Sequence, residues 1–295
     1  MAVIALMGAW IGAAVAANLV VPSTIFADPA PDSKFPAQMV PLAIVSKGDA
    51  MNGVLYVASG PGPHPTALLL HGLPGNEQNL DLAQAMRRAG WNVLTFHYRG
   101  SWGSHGEFSV SNAIEDAAAA LALLRDVKTV EKYLIDPSRL VVVGHSMGGF
   151  VAAKNAVDDQ SIDGVVLIAA ANMGPYLTAL RSPSARQASL DGLAAELAPL
   201  GGATVEGLLR DSVGHETDWD FTTYSKALKG RPALIVTADD GLARPSQRLA
   251  EALQTERSKL EFVHIPADHS FSSHRIALQR TVLNWLNAHF KSPSP

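Results

Sequence analysis

One ten-residue segment, Val141–Phe150 (VVVGHSMGGF), limits the fold of this chain more than any other stretch. The segment begins with three β-branched residues, and Gly-His-Ser-Met-Gly follows them. From Val151 to Val157 small, apolar residues form a helical pattern. This order predicts a buried strand, a very tight turn and a helix, with Ser146 at the apex. Side chains at Gly144 and Gly148 would collide with the strand and the helix that cross there, which explains the two glycines.

The serine at the apex of such a turn is well placed to act as a nucleophile. The turn lifts Ser146 Oγ clear of the sheet and leaves the Met147 N–H at a helix N-terminus, where it can stabilise an oxyanion. The pattern G-x-S-x-G between a strand and a helix is the nucleophile elbow. We therefore predict that Ser146 is catalytic and that Met147 contributes to an oxyanion hole. The alternative is a glycine-rich turn with no catalytic role.

A serine nucleophile needs a base to accept its proton and an acid to orient that base. Both residue types follow predicted strands downstream of Ser146, with the acid before the histidine, as in chains that use this elbow. His269 is the predicted base. Asp240 is the predicted acid, because it lies a few residues past a strand end and directly before Gly241. The neighbouring Asp239 remains the alternative for the acid.

A second glycine-rich turn, His71–Gly75 (HGLPG), follows the predicted strand Thr66–Leu70. Its backbone N–H groups are expected above the sheet, so the Leu73 N–H is predicted as the second oxyanion donor. An ordinary strand-to-helix turn is the alternative.

Farther along, the segment Arg99–Ser104 (RGSWGS) offers Trp102 as an apolar wall of a substrate pocket, or equally forms a packed loop.

Short apolar strands alternate with helical patterns along most of the chain, which predicts an α/β fold with a mostly parallel central sheet flanked by helices. A hairpin of Met39–Ser46 and Gly53–Ala58 precedes them. The segment Asn112–Glu115 resembles a capping box that opens a helix reaching about Val127. The remaining predicted strands are Thr66–Leu70, Trp91–Phe96, Leu140–Val143, Gly164–Ala170, Arg231–Thr237 and Leu260–Ile265.

The alternation breaks between about residues 173 and 230, where helix-like pieces, glycines and prolines occur without a strand pattern. We predict a small helical cap inserted over the C-terminal edge of the sheet, where open α/β sheets bind ligands. Its apolar side chains suggest an apolar lid formed by Met173, Tyr176, Leu177, Leu180, Trp219, Phe221 and Tyr224.

Composition excludes several functions. The net charge is −4 and only 17% of the 295 residues are charged, which argues against nucleic-acid binding. There are no cysteines, so disulfides, a thiol nucleophile and Cys-ligated metals are excluded. The histidines form no tight ligand pattern, and we predict no metal site.

The N-terminal 27 residues carry no charged side chain and read as a secretory signal peptide or a membrane anchor. No Lys or Arg precedes the apolar run, and the small-x-small site Thr24–Ala27, with cleavage after Ala27, is imperfect. Export to the periplasm or the medium, or membrane attachment through this segment, is the expectation; a cytoplasmic protein is the alternative. Residues 28–38 form a predicted linker, and residues 39–295 the folded domain.

From about Pro41 to Phe290 the sequence resembles the α/β-hydrolases, in particular the serine esterase and prolyl-oligopeptidase-like branches without a propeller domain. The resemblance rests on five segments in the family's order: His71–Gly75, Tyr98–Ser104, Gly144–Gly149, Asp239–Gly241 and Asp268–Phe271. It implies a Ser146–His269–Asp240 triad that forms an acyl-enzyme, with Leu73 and Met147 as oxyanion donors and no cofactor.

The resemblance leaves the substrate open. The apolar lid favours a small-molecule carboxylic ester. A peptidase or amidase with the same triad, an acyltransferase, and a non-catalytic binding member of the fold are the alternatives.

Overall fold

The computed structural model describes residues 21–290. The predicted signal peptide or anchor, residues 1–27, lies almost entirely outside that range. Its last residues form a 3-10 turn at Ser23–Ile25, where Ile25 is buried and Arg88 donates hydrogen bonds to the carbonyls of Thr24 and Ile25. Between residues 21 and 290 there is no helix with the length and apolar character needed to span a bilayer.

Eight strands form one sheet, in the order β1-β2-β4-β3-β5-β6-β7-β8. The pairs β1–β2 and β2–β4 are antiparallel, and all other neighbours are parallel. Strands β3, β4, β6 and β7 are buried over their whole length, as expected where helices cover both faces of a sheet. The bounds are β1 Gln38–Ser46, β2 Asp49–Val57, β3 His64–Leu70, β4 Asn92–Phe96, β5 Ile135–His145, β6 Gly164–Ile168, β7 Ala233–Thr237 and β8 Leu260–His264. The predicted α/β fold is confirmed.

Helices on the two faces of the sheet enclose two apolar cores. One core contains the buried faces of α2, α4 and α9, and the other contains those of α1 and α10. The helices are α1 Leu80–Arg88, α2 Val110–Arg125, α3 Val127–Tyr133, α4 Met147–Asp158, α5 Met173–Ala179, α6 Pro183–Leu197, α7 Val205–Asp211, α8 Ser225–Leu228, α9 Ala243–Thr255 and α10 Arg275–His289.

Two local predictions differ from the structure. The β1–β2 hairpin turns at Lys47 and Gly48, both with positive φ, and Asp49 already pairs with Ser46. The predicted capping box at Asn112 is wrong, because α2 begins earlier. The Ser109 side chain accepts the Asn112 N–H and so caps α2 one turn upstream of the predicted box.

The segment between β6 and β7 contains α5 to α8 and a 3-10 turn at Phe221–Thr223. A single isolated bridge links Leu200 to Ser101 in the loop after β4. Asp211, at the end of α7, accepts two hydrogen bonds from Ser111 at the start of α2. These contacts hold the inserted helices against the loop after β4 and the start of α2.

Candidate active site

Ser146 lies at the turn between β5 and α4 in a strained backbone conformation, with φ 57° and ψ −124°. A Cβ on Gly144 would lie 2.0 Å from the Gly148 carbonyl oxygen, and a Cβ on Gly148 would lie 2.4 Å from that of Leu70. Both distances are far inside van der Waals contact. The predicted reason for these two glycines is confirmed: helix and strand backbones cross too closely for a side chain.

The loop after β3 passes directly beside the serine. A Cβ on Gly72 would meet Ser146 Cβ at 2.7 Å and Oγ at 3.2 Å, so only a glycine allows this approach. Leu73 and Met147 are the predicted oxyanion donors. Leu73 follows Gly72 in this loop, and Met147 follows Ser146 as the first residue of α4. Counting only partners within residues 21–290, neither amide N–H has a hydrogen-bond acceptor. Two unused donors therefore belong to residues next to the serine or next to Gly72, which contacts it.

His269 follows β8 and contacts the carboxylate of Asp240, which follows β7. The distance from His269 Nδ1 to Asp240 Oδ2 is 2.7 Å, and the Asp240 side chain is only 4% exposed. Because a carboxylate only accepts, Nδ1–H donates, and in a neutral imidazole with this tautomer Nε2 carries the lone pair. Burial alone would raise the pKa of Asp240, but hydrogen bonds from His269 and the Leu242 N–H lower it below its ordinary value.

Asp239, the alternative acid, points away from His269. Its side chain is 65% exposed, and its carboxylate lies 3.1 Å from Nε2 of His264. The structure therefore brings Asp240, and not Asp239, to His269.

These residues line one cavity of about 520 Å³. Ser146, His269, Asp240, Leu73 and Met147 all contribute to its wall. The other lining residues are Ala171, Asn172, Met173, Pro175, Tyr176, Glu196, Gly241, Leu242 and Pro245. The wall is mostly apolar, which suits a small organic substrate.

Two buried histidines support the turns on which the site is built. His71 Nδ1–H donates to the Gly72 carbonyl at 2.7 Å, and His145 Nε2–H donates to the His269 carbonyl at 2.8 Å. The rings of His145 and His269 are 4.7 Å apart. Burial lowers the pKa of His71 and of His145 to about 4, so both are neutral near pH 7. They position the loops that carry the site residues.

Trp102 does not line the cavity. Its indole N–H donates to the Pro74 carbonyl at 2.7 Å, and this hydrogen bond stabilises the loop that contains Leu73. Of the predicted lid residues, only Met173 and Tyr176 reach the cavity; the rest are buried in the core that also contains α2, α4 and α9. These are Leu177, Leu180, Trp219, Phe221 and Tyr224.

The sequence did not reveal Glu196 or Asn172 as cavity residues. Asn172 has a structural role, since its side chain donates to Asp220 and accepts the Phe221 N–H. No local sequence signal marks Glu196, because the packing of α6 brings it to the cavity.

No cluster of three or more potential metal ligands occurs in the part of the chain that the structure describes.

Comparison with known proteins agrees with the fold described above. Residues 67–278 match the Alpha/beta hydrolase family. The chain is 28% identical to esterase EstD of Thermotoga maritima over 151 residues, 46% of this chain and 35% of that protein. It is 32% identical to the lysophosphatidylserine lipase ABHD12 of Danio rerio over 118 residues, 39% of this chain and 29% of that protein. These matches span about a third of the two relatives.

Among solved structures, Est1E from Butyrivibrio proteoclasticus with bound ferulic acid superposes with a TM-score of 0.64 at 16% identity, over 85% of this chain and 100% of that one. The esterase Pf2001 of Pyrococcus furiosus gives a TM-score of 0.60 at 18% identity, over 86% of this chain and 91% of that one. At such low identity these likenesses bear on the fold alone. The family match covers most of the chain, and this protein belongs to the alpha/beta hydrolase family.

Proposed function

We propose that this hydrolase cleaves a small carboxylic ester through an acyl-enzyme on Ser146. The observation that carries the proposal is the 2.7 Å hydrogen bond from His269 to the buried Asp240, in a cavity that Ser146 also lines. The mostly apolar wall supports an ester with an apolar acyl or alcohol part. The relatives named esterase and lipase agree with this substrate class.

In the proposed mechanism, Ser146 Oγ attacks the ester carbonyl while His269 Nε2 takes the hydroxyl proton. The N–H groups of Leu73 and Met147 stabilise the resulting oxyanion. As the C–O bond to the alcohol breaks, His269 returns the proton to the alcohol. Water then attacks the acyl-enzyme, again giving a proton to His269, and the acid is released as Ser146 regains its hydrogen. Asp240 holds the imidazole and stabilises its charged form in both steps.

The test combines a fluorophosphonate probe, mass spectrometry and hydrolysis of p-nitrophenyl esters of increasing acyl length. We expect one adduct, on Ser146, and turnover of short esters. Ser146→Ala should lower ester hydrolysis by at least about 10⁴-fold without loss of the fold, since the nucleophile itself is removed. Ser161→Ala, at an exposed serine between α4 and β6, is the matched control and should keep full activity.

The alternatives give different results in the same experiment. Labelling of Ser146 without ester turnover would indicate amide or peptide substrates. A new ester formed with an added alcohol would indicate acyl transfer. No labelling would contradict the proposed mechanism and favour a non-catalytic binding member of the fold. Full activity of Ser146→Ala would also contradict the mechanism, because catalysis would then not depend on this serine.

A further inference from the structure

We propose that Glu196 and Tyr176 form a subsite for a positively charged group, so that the preferred substrates are esters that carry an ammonium group. The inference rests on the proposed ester hydrolysis and specifies its substrate class. It concerns the part of the cavity wall that the inserted helices α5 and α6 contribute.

Two packed helices bring the subsite residues to the cavity. Leu193 and Leu197 are each 4% exposed and fix α6 against the core, while Glu196 lines the cavity. On α5, Leu177 is fully buried, and Tyr176 is 40% exposed and lines the same cavity. An exposed aromatic ring and a carboxylate therefore lie on one wall beside the site of the proposed chemistry.

Glu196 is the acidic group of the cavity that has no partner. Asp240 accepts hydrogen bonds from His269 and from the Leu242 N–H. Glu196, by contrast, makes no hydrogen bond or ion pair with any residue between 21 and 290, and no Lys or Arg is among the lining residues of the cavity. The charge of His269 acts on Glu196 but makes no hydrogen bond or ion pair with it, so the carboxylate remains open to a cationic ligand.

The electrostatics of the wall support this arrangement. Burial raises the pKa of Glu196, because the apolar surroundings disfavour its charge. Burial, and then the negative charge of Glu196, raises the pKa of Tyr176, so the charge of the carboxylate reaches the phenol. An ammonium group between them would pair with the carboxylate and contact the ring face, which attracts cations. An anionic substrate group would be repelled there.

The experiment uses two isosteric substrate pairs that differ only in charge. On the acyl side, p-nitrophenyl 4-(trimethylammonio)butanoate is compared with p-nitrophenyl 5,5-dimethylhexanoate, in which a tert-butyl group replaces the trimethylammonium group. On the alcohol side, acetylthiocholine is compared with 3,3-dimethylbutyl thioacetate. We expect the wild-type enzyme to prefer the cationic member of one pair in kcat/KM by about tenfold, the scale of an ion pair or cation–π contact in a partly desolvated site.

Glu196→Gln should bring that ratio close to one, because it removes the charge that distinguishes the two members of a pair. Tyr176→Leu should lower the ratio, and Tyr176→Phe should preserve it, since Phe keeps the ring face. Glu251→Gln on α9, outside the cavity, removes the same charge and should leave the ratio at the wild-type value. An unchanged ratio in Glu196→Gln, or a wild-type preference for the neutral member of both pairs, would overturn the inference.

Calorimetric titration with butyltrimethylammonium separates this inference from the proposed function. Saturable binding to the wild type that is at least about tenfold weaker in Glu196→Gln would support the subsite even if no ester is hydrolysed. Turnover of neutral esters without ammonium preference or ammonium binding would leave the proposed function standing and refute the subsite.

Discussion

Two neighbouring aspartates have opposite environments because the chain turns between them. The Asp240 carboxylate is nearly buried and accepts from His269, whereas the Asp239 carboxylate is mostly exposed and lies near His264. Hydrogen bonds lower the pKa of Asp240 below its ordinary value despite its burial, so its charge is available to a protonated imidazole. Asp239 supplies no charge to the cavity.

This difference predicts unequal effects of the same substitution at the two positions. Asp240→Asn should lower kcat for a p-nitrophenyl ester by about 10²–10⁴-fold, because the amide neither stabilises the imidazolium nor fixes its tautomer. Asp239→Asn should change kcat by less than about twofold, since this carboxylate is exposed and does not line the cavity. A larger loss in Asp239→Asn than in Asp240→Asn would overturn the assignment of the acid.

At the scale of elements, the sequence predicted those parts of the site that adjacent residues encode. The turn around Ser146 and the strand ends before Asp240 and His269 are local patterns, and the structure brings all three residues to one cavity. Glu196 could not be found in this way, since its position depends on how α6 packs on the rest of the chain. For Trp102 the sequence leaves a pocket wall and a packed loop equally open, because it identifies the loop but not the direction of the side chain.

The tight crossing at the elbow predicts that Gly148→Ala destabilises the fold. Its Cβ would lie 2.4 Å and 2.5 Å from the backbone oxygens of Leu70 and His71, which cannot rotate away as a side chain could. We expect a loss of about 2–4 kcal/mol in the free energy of unfolding, measured with urea, and slower fluorophosphonate labelling.

The matched control is Gly192→Ala in α6, where no described atom lies within 4 Å of the added Cβ. Alanine favours a helix interior, so this variant should gain up to about 1 kcal/mol. Equal stability of Gly148→Ala and the wild type would mean that the strand and the helix are not packed this closely.

For the whole molecule, buried neutral histidines link folding to pH. Burial lowers the pKa of His71 and of His145 to about 4 in the folded state, against an ordinary value near 6.5. The unfolded chain therefore binds more protons than the folded one between these values. Their contribution to stability is complete above about pH 6.5 and is lost as the pH falls toward 4. Burial also lowers the pKa of His97, which adds to the same effect.

We therefore predict that the free energy of unfolding falls by roughly 4 kcal/mol between pH 7.5 and pH 5.0, with a limiting slope near two protons from His71 and His145. Urea titrations at half-unit steps of pH would measure it. Ion-paired carboxylates such as Asp81 and Asp159 have lowered pKa values. They therefore begin to lose their contribution to stability only at a pH below this range of 7.5 to 5.0. His71→Gln should reduce the slope by about one proton whatever its effect on stability at pH 7.5, because glutamine does not titrate. A slope that is flat in the wild type, or unchanged in His71→Gln, would show that these histidines are protonated as readily in the folded state as in the unfolded chain.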